Sequence, residues 1–317
     1  MADIARRMNL DMLTLTGPIE PGLAAQGIDV KRDTEFMNLV EPDTVHDAYV
    51  LQMAAGTPVL VTATRGLTPA MLARHGFEDR LEDLAVAALT VARSVEPQHI
   101  LVELWPCGLP LDPSSEASMK EHRDQYARVA RVFEALNTVN ETGATAFDGY
   151  LLGGFGNVAA LKAAIAGVRK VTDRPVFASV TVDGEGFLNP KKQERIEDAT
   201  AAAVEFGADV VGFATFAAPE AAVALARRIA ADSDVPMMAS LAVKSAGKRR
   251  GRALYEDPYA TPETMLSAAA ALREAGVQFL RATADASPAY TAVLAAATAG
   301  LDVIRRPSTA PIPGLDD

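Results

Sequence analysis

Short apolar β-type runs alternate with longer Ala-rich helical runs eight times along this chain, and that alternation constrains its fold more than any other feature. The expected strands are 12–16, 58–62, 100–104, 149–152, 175–182, 209–213, 236–241 and 278–282. Between them the sequence predicts helices over 42–54, 81–95, 118–137, 158–171, 193–206, 219–231, 262–274 and 288–299. The runs beginning at Pro58 and Pro175 are nearly continuous in apolar residues, so both strand faces are covered, as in a parallel sheet. Gly56, Gly207 and Gly276 stand where helices should end, just before strands, while Pro219, Pro262 and Pro288 stand where helices should begin. Eight such units in 317 residues match a (β/α)8 TIM barrel, a single domain over 1–304 followed by an extended tail, 305–317. A doubly wound sheet is the competing architecture, but no Gly-x-Gly-x-x-Gly turn follows the first strand.

Charge and cysteine content narrow the function. Lys and Arg number 30 against 41 Asp and Glu, a net charge of -11 that repels phosphate backbones, so nucleic acid is not an expected partner. The single cysteine, Cys107, excludes a disulfide framework and a Cys-rich zinc or iron–sulfur site, and His46, His75, His99 and His122 are too scattered for a metal triad. No apolar run approaches the roughly 20 residues of a membrane span, and no apolar stretch follows the charged N-terminus as in a signal peptide. The expected location is therefore cytoplasmic, with self-association left open.

Several strings resemble the homocysteine S-methyltransferase family. Met37-Asn38-Leu39-Val40-Glu41-Pro42-Asp43-Thr44-Val45-His46-Asp47-Ala48-Tyr49 is similar to its Asn-Leu-x-x-Pro-Asp-x-Val…His-x-x-Tyr segment. Gly17, Leu23 and Gly27 stand in its opening motif, Pro106 and Gly108 in the turn after strand three, and Ser287-Pro288 at the start of the last helix. Tyr255 to Pro262 and Glu274-Ala275-Gly276-Val277 resemble its last βα unit. The resemblance implies a barrel that methylates homocysteine on zinc held by three thiolates. Here those thiolate positions read Thr215, Thr283 and Ala284, which are not soft sulfur ligands, so no zinc is expected. The family's carboxylate positions also differ, reading Thr16, Gly22 and Gly153-Gly154.

A barrel carries its chemistry on the loops at the C-terminal ends of its strands. There the sequence places Glu103, Arg281 and Asp285 as candidate catalytic groups. Thr16, Thr62, Thr64, Arg65, Trp105, Tyr150, Thr181, Thr215, Phe216, Lys244 and Thr283 are the candidate substrate-binding residues, with Glu20 and Asp148 among the charges nearby. Glu103 beside the only Trp suits a cationic methyl donor, which an indole face attracts. Arg281 suits a substrate carboxylate or, alternatively, an internal ion pair with Glu103 or Asp285. The basic run 244–252 suits an anionic ligand and keeps a folate open as cofactor. Taken with these residues, the resemblance implies a zinc-independent methyl or one-carbon transferase acting on a small anionic or zwitterionic substrate. The alternatives are a non-catalytic binding or assembly barrel, or a lyase or hydrolase built on the same charges.

Overall fold

A computed structural model describes residues 4–30, 34–137, 146–191, 193–244, 258–259 and 261–304. Most of the basic run and the whole 305–317 tail lie outside the described residues. Eight parallel strands close into one barrel in chain order. They are β1 (Leu13–Leu15), β2 (Val59–Val61), β3 (His99–Leu104), β4 (Gly149–Phe155), β5 (Val176–Thr181), β6 (Val210–Thr215), β7 (Met237–Val243) and β8 (Phe279–Ala284). Closure is made by β1 against β8, with Leu13 opposite Phe279 and Leu15 opposite Arg281. The architecture is the (β/α)8 TIM barrel expected from the sequence.

Two apolar layers follow from the period-two alternation of the strands. Leu13, Leu15, Val59, Val61, Leu101, Leu151, Phe177, Val210, Met238 and Phe279 form one cluster, the barrel interior. Ile4 and Met8, on and just after the helix Ile4–Arg7, belong to it and cover the N-terminal end. The opposite strand faces meet the outer helices, whose apolar stripes make the larger cluster.

The expected helices appear with ends shifted by a few residues. Glu116–Leu136 starts at Ser115, whose Oγ accepts from Ser118 N, and Val158–Arg169 starts at Asn157, whose Oδ1 accepts from Ala160 N at 2.7 Å. Gly207 and Gly276 have φ of 93° and 94°, the left-handed geometry that stops Ile196–Glu205 and Thr264–Glu274. Short helices at Glu20–Ala25, Thr34–Val40 and Pro69–Ala73, on the C-terminal side of β1 and β2, are additions to the expected set. Among the described residues, no helix is long and apolar enough to cross a membrane.

Candidate functional site

The family-like segment from Met37 to Tyr49 positions the end of β2. Asn38 Nδ2 donates to Ala63 O at 3.2 Å, while Ala63 N donates to the buried Tyr49 hydroxyl at 2.7 Å. Ala63 is thereby clamped on both backbone groups, and Arg65, two residues on, is aimed at the end of β3. Glu103 stands there, on the same, interior face of β3 as Leu101.

Arg281 crosses from β8 to β3, past the ends of β1 and β2. Its Nη1 and Nη2 donate to Glu103 Oε1 and Oε2 at 2.7 and 3.1 Å, and its Nε donates to Thr16 O at 3.0 Å. Arg65 Nε donates to Glu103 Oε2 at 3.0 Å, and its Nη1 lies 3.0 Å from Glu20 Oε1. Trp105 Nε1 donates to Glu103 Oε1 at 3.0 Å, and the Arg65 guanidinium packs 4.5 Å from the Trp105 ring centre. The Glu103 side chain is 3% exposed and that of Arg281 5%. Four donors thus saturate one buried carboxylate, the arrangement that makes a buried pair tolerable. Burial alone would push Glu103 up. Arg281 and Arg65, with donors from Arg281 and Trp105, reverse that and hold it at about 2. Arg65 likewise loses solvation, but Glu103 and Glu20 hold it above its ordinary value.

Room for the indole comes from β4. A Cβ on Gly153 would lie 3.1 Å from Trp105 Nε1 and 3.4 Å from Glu103 Oε1. A Cβ on Gly154 (φ 74°) would come within 2.7 Å of the Trp105 ring. The glycine pair is therefore the space that Trp105 fills. Two openings adjoin the cluster. One, about 10 Å³ and bounded by Glu20, Arg65, Glu103 and Arg281, holds about one water at most. The other, about 550 Å³, lies to the side, between Trp105, Arg65 and the segments around Phe36 and Phe77.

The ion-pair alternative for Arg281 is the one the structure displays: the guanidinium is consumed by Glu103 and is not presented to a ligand. Trp105 does adjoin Glu103, but Arg65 already packs over the indole, the face expected to attract a cationic methyl donor. Several candidates are corrected to structural roles. Tyr150 faces outward, its hydroxyl donating to Glu134 Oε1 at 3.2 Å, because its position in β4 alternates with the inward Leu151. Thr16 Oγ1 accepts from Val61 N, Thr62 Oγ1 from Glu103 N, and Thr215 Oγ1 from Ala217 N. Thr64 Oγ1 donates to Glu103 O at 2.8 Å. These four hydroxyls are buried; the first two and Thr64 link neighbouring strand ends, and Thr215 closes the turn after β6. Asp148 lies at the opposite end of the barrel, accepting from Ile100 N at 2.7 Å.

Thr181, Phe216, Lys244 and Asp285 are exposed, and Thr283 is half-buried. The Lys244 ammonium packs 5.1 Å from the Phe216 ring centre. None of these five shares a described hydrogen bond or ion pair with the Glu103 cluster. Cys107 is buried, and burial pushes its thiol up, the opposite of an activated nucleophile.

Sequence reasoning missed Glu35, Phe36, Arg74 and Phe77. Glu35 Oε1 accepts from Gly66 N at 2.5 Å, and burial pushes its carboxyl up. Its only sequence signal is adjacency to the family-like segment.

Zinc does not fit the donor set at the strand ends. Ala284 offers no ligand atom, Thr283 only a hydroxyl, and the Thr215 hydroxyl is buried and bonded to backbone. Among the described residues, no three His, Cys, Asp or Glu side chains are grouped to hold a metal ion.

Fold and site together define a (β/α)8 barrel with a charged cluster at its C-terminal mouth, where such barrels handle small molecules. The chain belongs to the homocysteine S-methyltransferase family, whose sequence profile matches residues 15–298. Solved structures of the homocysteine methyltransferase MmuM from Escherichia coli share the fold. The metallated form gives a TM-score of 0.70 at 14% identity and the oxidised form 0.71 at 15%, each covering 90% of this chain and 96% of that one. No curated protein matches the sequence at a significant level.

Proposed function

We propose that the chain is a zinc-independent member of its family that transfers a methyl or one-carbon group on a small carboxylate-bearing substrate at the barrel mouth. Family membership supplies the reaction class. The observation that carries the substrate class is Arg65. Its Nη2 is buried and meets no acceptor among the described residues, although the same guanidinium serves Glu103 and Glu20 through its other nitrogens. A buried donor left unmade costs about 1–3 kcal/mol, which a ligand oxygen, directly or through one water, recovers. The carboxylate-binding role that the sequence placed on Arg281 thus passes to Arg65.

The test has two arms. Elemental analysis of untreated protein should find well under one zinc per chain, and stoichiometric zinc would overturn the metal-independent reading. Thermal-shift screening at millimolar concentration should show larger stabilisation by carboxylates than by their amides, lost in Arg65→Met. Equal responses from acids and amides would remove the substrate class. A non-catalytic binding barrel is the second reading, favoured by the Glu103–Arg281 pair. That pair spans the mouth, with a void of about 10 Å³ against it.

A further inference from the structure

We infer that the lateral cavity beside Trp105 is a binding site for a small monocarboxylic acid with a flat apolar body. This deepens the carboxylate reading above and rests on it, the ligand's carboxylate lying between Arg74 and the unpartnered Nη2 of Arg65, both of which line the cavity. The cavity encloses about 550 Å³, within the range of small-molecule pockets. Its walls divide by chemistry. Phe36 and Phe77 stack with ring centres 4.7 Å apart and planes 9° from parallel, and with Met71 and Trp105 they give an apolar, largely aromatic surface. Such walls favour a planar group by offset or edge contacts.

The sign of the ligand's charge follows from the charged side chains on the same wall. Glu20 and Arg65 pair with each other, and Arg65 also balances Glu103, which Arg281 shares. Glu35 is buried, its Oε1 accepting from Gly66 N; burial and Glu20 push its carboxyl up, while the Gly66 N–H and Arg65 oppose them. Arg74 is left. It donates to Gly108 O and has no carboxylate partner among the described residues. The cavity therefore presents Arg74, a cation with no carboxylate partner among the described residues, beside an aromatic wall, complementary to a carboxylate on a flat body.

Calorimetric titration of the full chain with 3-phenylpropionate, its amide and butyrate tests this. Phenylpropionate should bind at least about tenfold more tightly than either of the others, because each lacks one of the two recognised groups. Arg74→Gln, an exposed substitution that spares the fold, should weaken phenylpropionate about tenfold and leave the amide unchanged. Phe77→Ala, with its fold checked by circular dichroism, should erase the preference over butyrate. Acid and amide binding equally, or phenylpropionate unaffected by both substitutions, would overturn the site. Phenylpropionate and butyrate binding equally, with Arg65 required and Arg74 and Phe77 indifferent, would overturn this inference while sparing the carboxylate reading. Failure of every carboxylate to bind would remove both.

Discussion

Replacing Glu103 with Gln keeps the shape of the side chain and removes the charge on which two guanidinium groups converge. Arg65 retains Glu20 as a partner, but Arg281 keeps only the Thr16 carbonyl and one amide oxygen. Stranding a buried charge in this way costs about 3–5 kcal/mol. With an unfolding entropy of about 2 cal/mol/K per residue, that lowers Tm by roughly 5–8 °C. Arg281→Met should cost less, about 2–3 kcal/mol, because Glu103 still accepts from Arg65 and Trp105. The double variant should be more stable than the sum of the single losses predicts, by about 1 kcal/mol or more, since neither member then strands the other. Urea unfolding at pH 7, with calorimetry for Tm, measures all four species. A Glu103→Gln loss within about 0.5 kcal/mol, or strict additivity, would refute the description of this pair as buried and mutually dependent.

Two further perturbations address neighbouring features. Glu103 is held at about 2 in the folded chain against an ordinary value of 4.5, so the unfolded chain binds more protons in between, and stability falls as pH drops through that window. About 2.5 pH units at about 1.4 kcal/mol each gives about 3 kcal/mol. The wild-type advantage over Glu103→Gln should shrink by that amount in urea midpoints from pH 4.5 down to pH 2, and an unchanged gap would contradict it. Gly154→Ala puts a methyl group against the indole at a backbone angle that side chains avoid, so it should cost about 2 kcal/mol or more. It should also red-shift the emission of Trp105, the one tryptophan, and an unmoved spectrum with unchanged stability would show that the ring is not seated on Gly154.

The fold was legible because a parallel barrel imposes its demands locally. Strands covered on both faces must be continuously apolar, and each helix must stop where Gly207 or Gly276 allows a left-handed turn. The site was legible only in part. Glu103, Arg281, Arg65 and Trp105 were identifiable as polar or large groups at the ends of strands. Thr16, Thr62, Tyr150 and Thr215 were misassigned because position near a strand end does not fix which face a residue occupies, and a shift of one residue reverses it. Glu35, Arg74 and Phe77 were invisible for another reason. They sit on or beside helices of one or two turns, too short to impress a periodic pattern on the sequence. Gly153-Gly154 read as a lost carboxylate, and only the position of Trp105 shows that it is an accommodation.

The contact between β1 and β8 joins the first and last strands of the barrel. Thr16 and Arg281, linked through the Arg281 Nε, are 265 residues apart. Glu103 is made long before the cation that balances it, so a nascent chain halted short of β8 carries that carboxylate with Arg65 as its one guanidinium partner. Ring closure and charge neutralisation are then a single event, completed by the last strand of the barrel. A fragment ending before Phe279 would leave open both the barrel seam and the electrostatic centre, two defects from one missing strand that mark it for proteolysis.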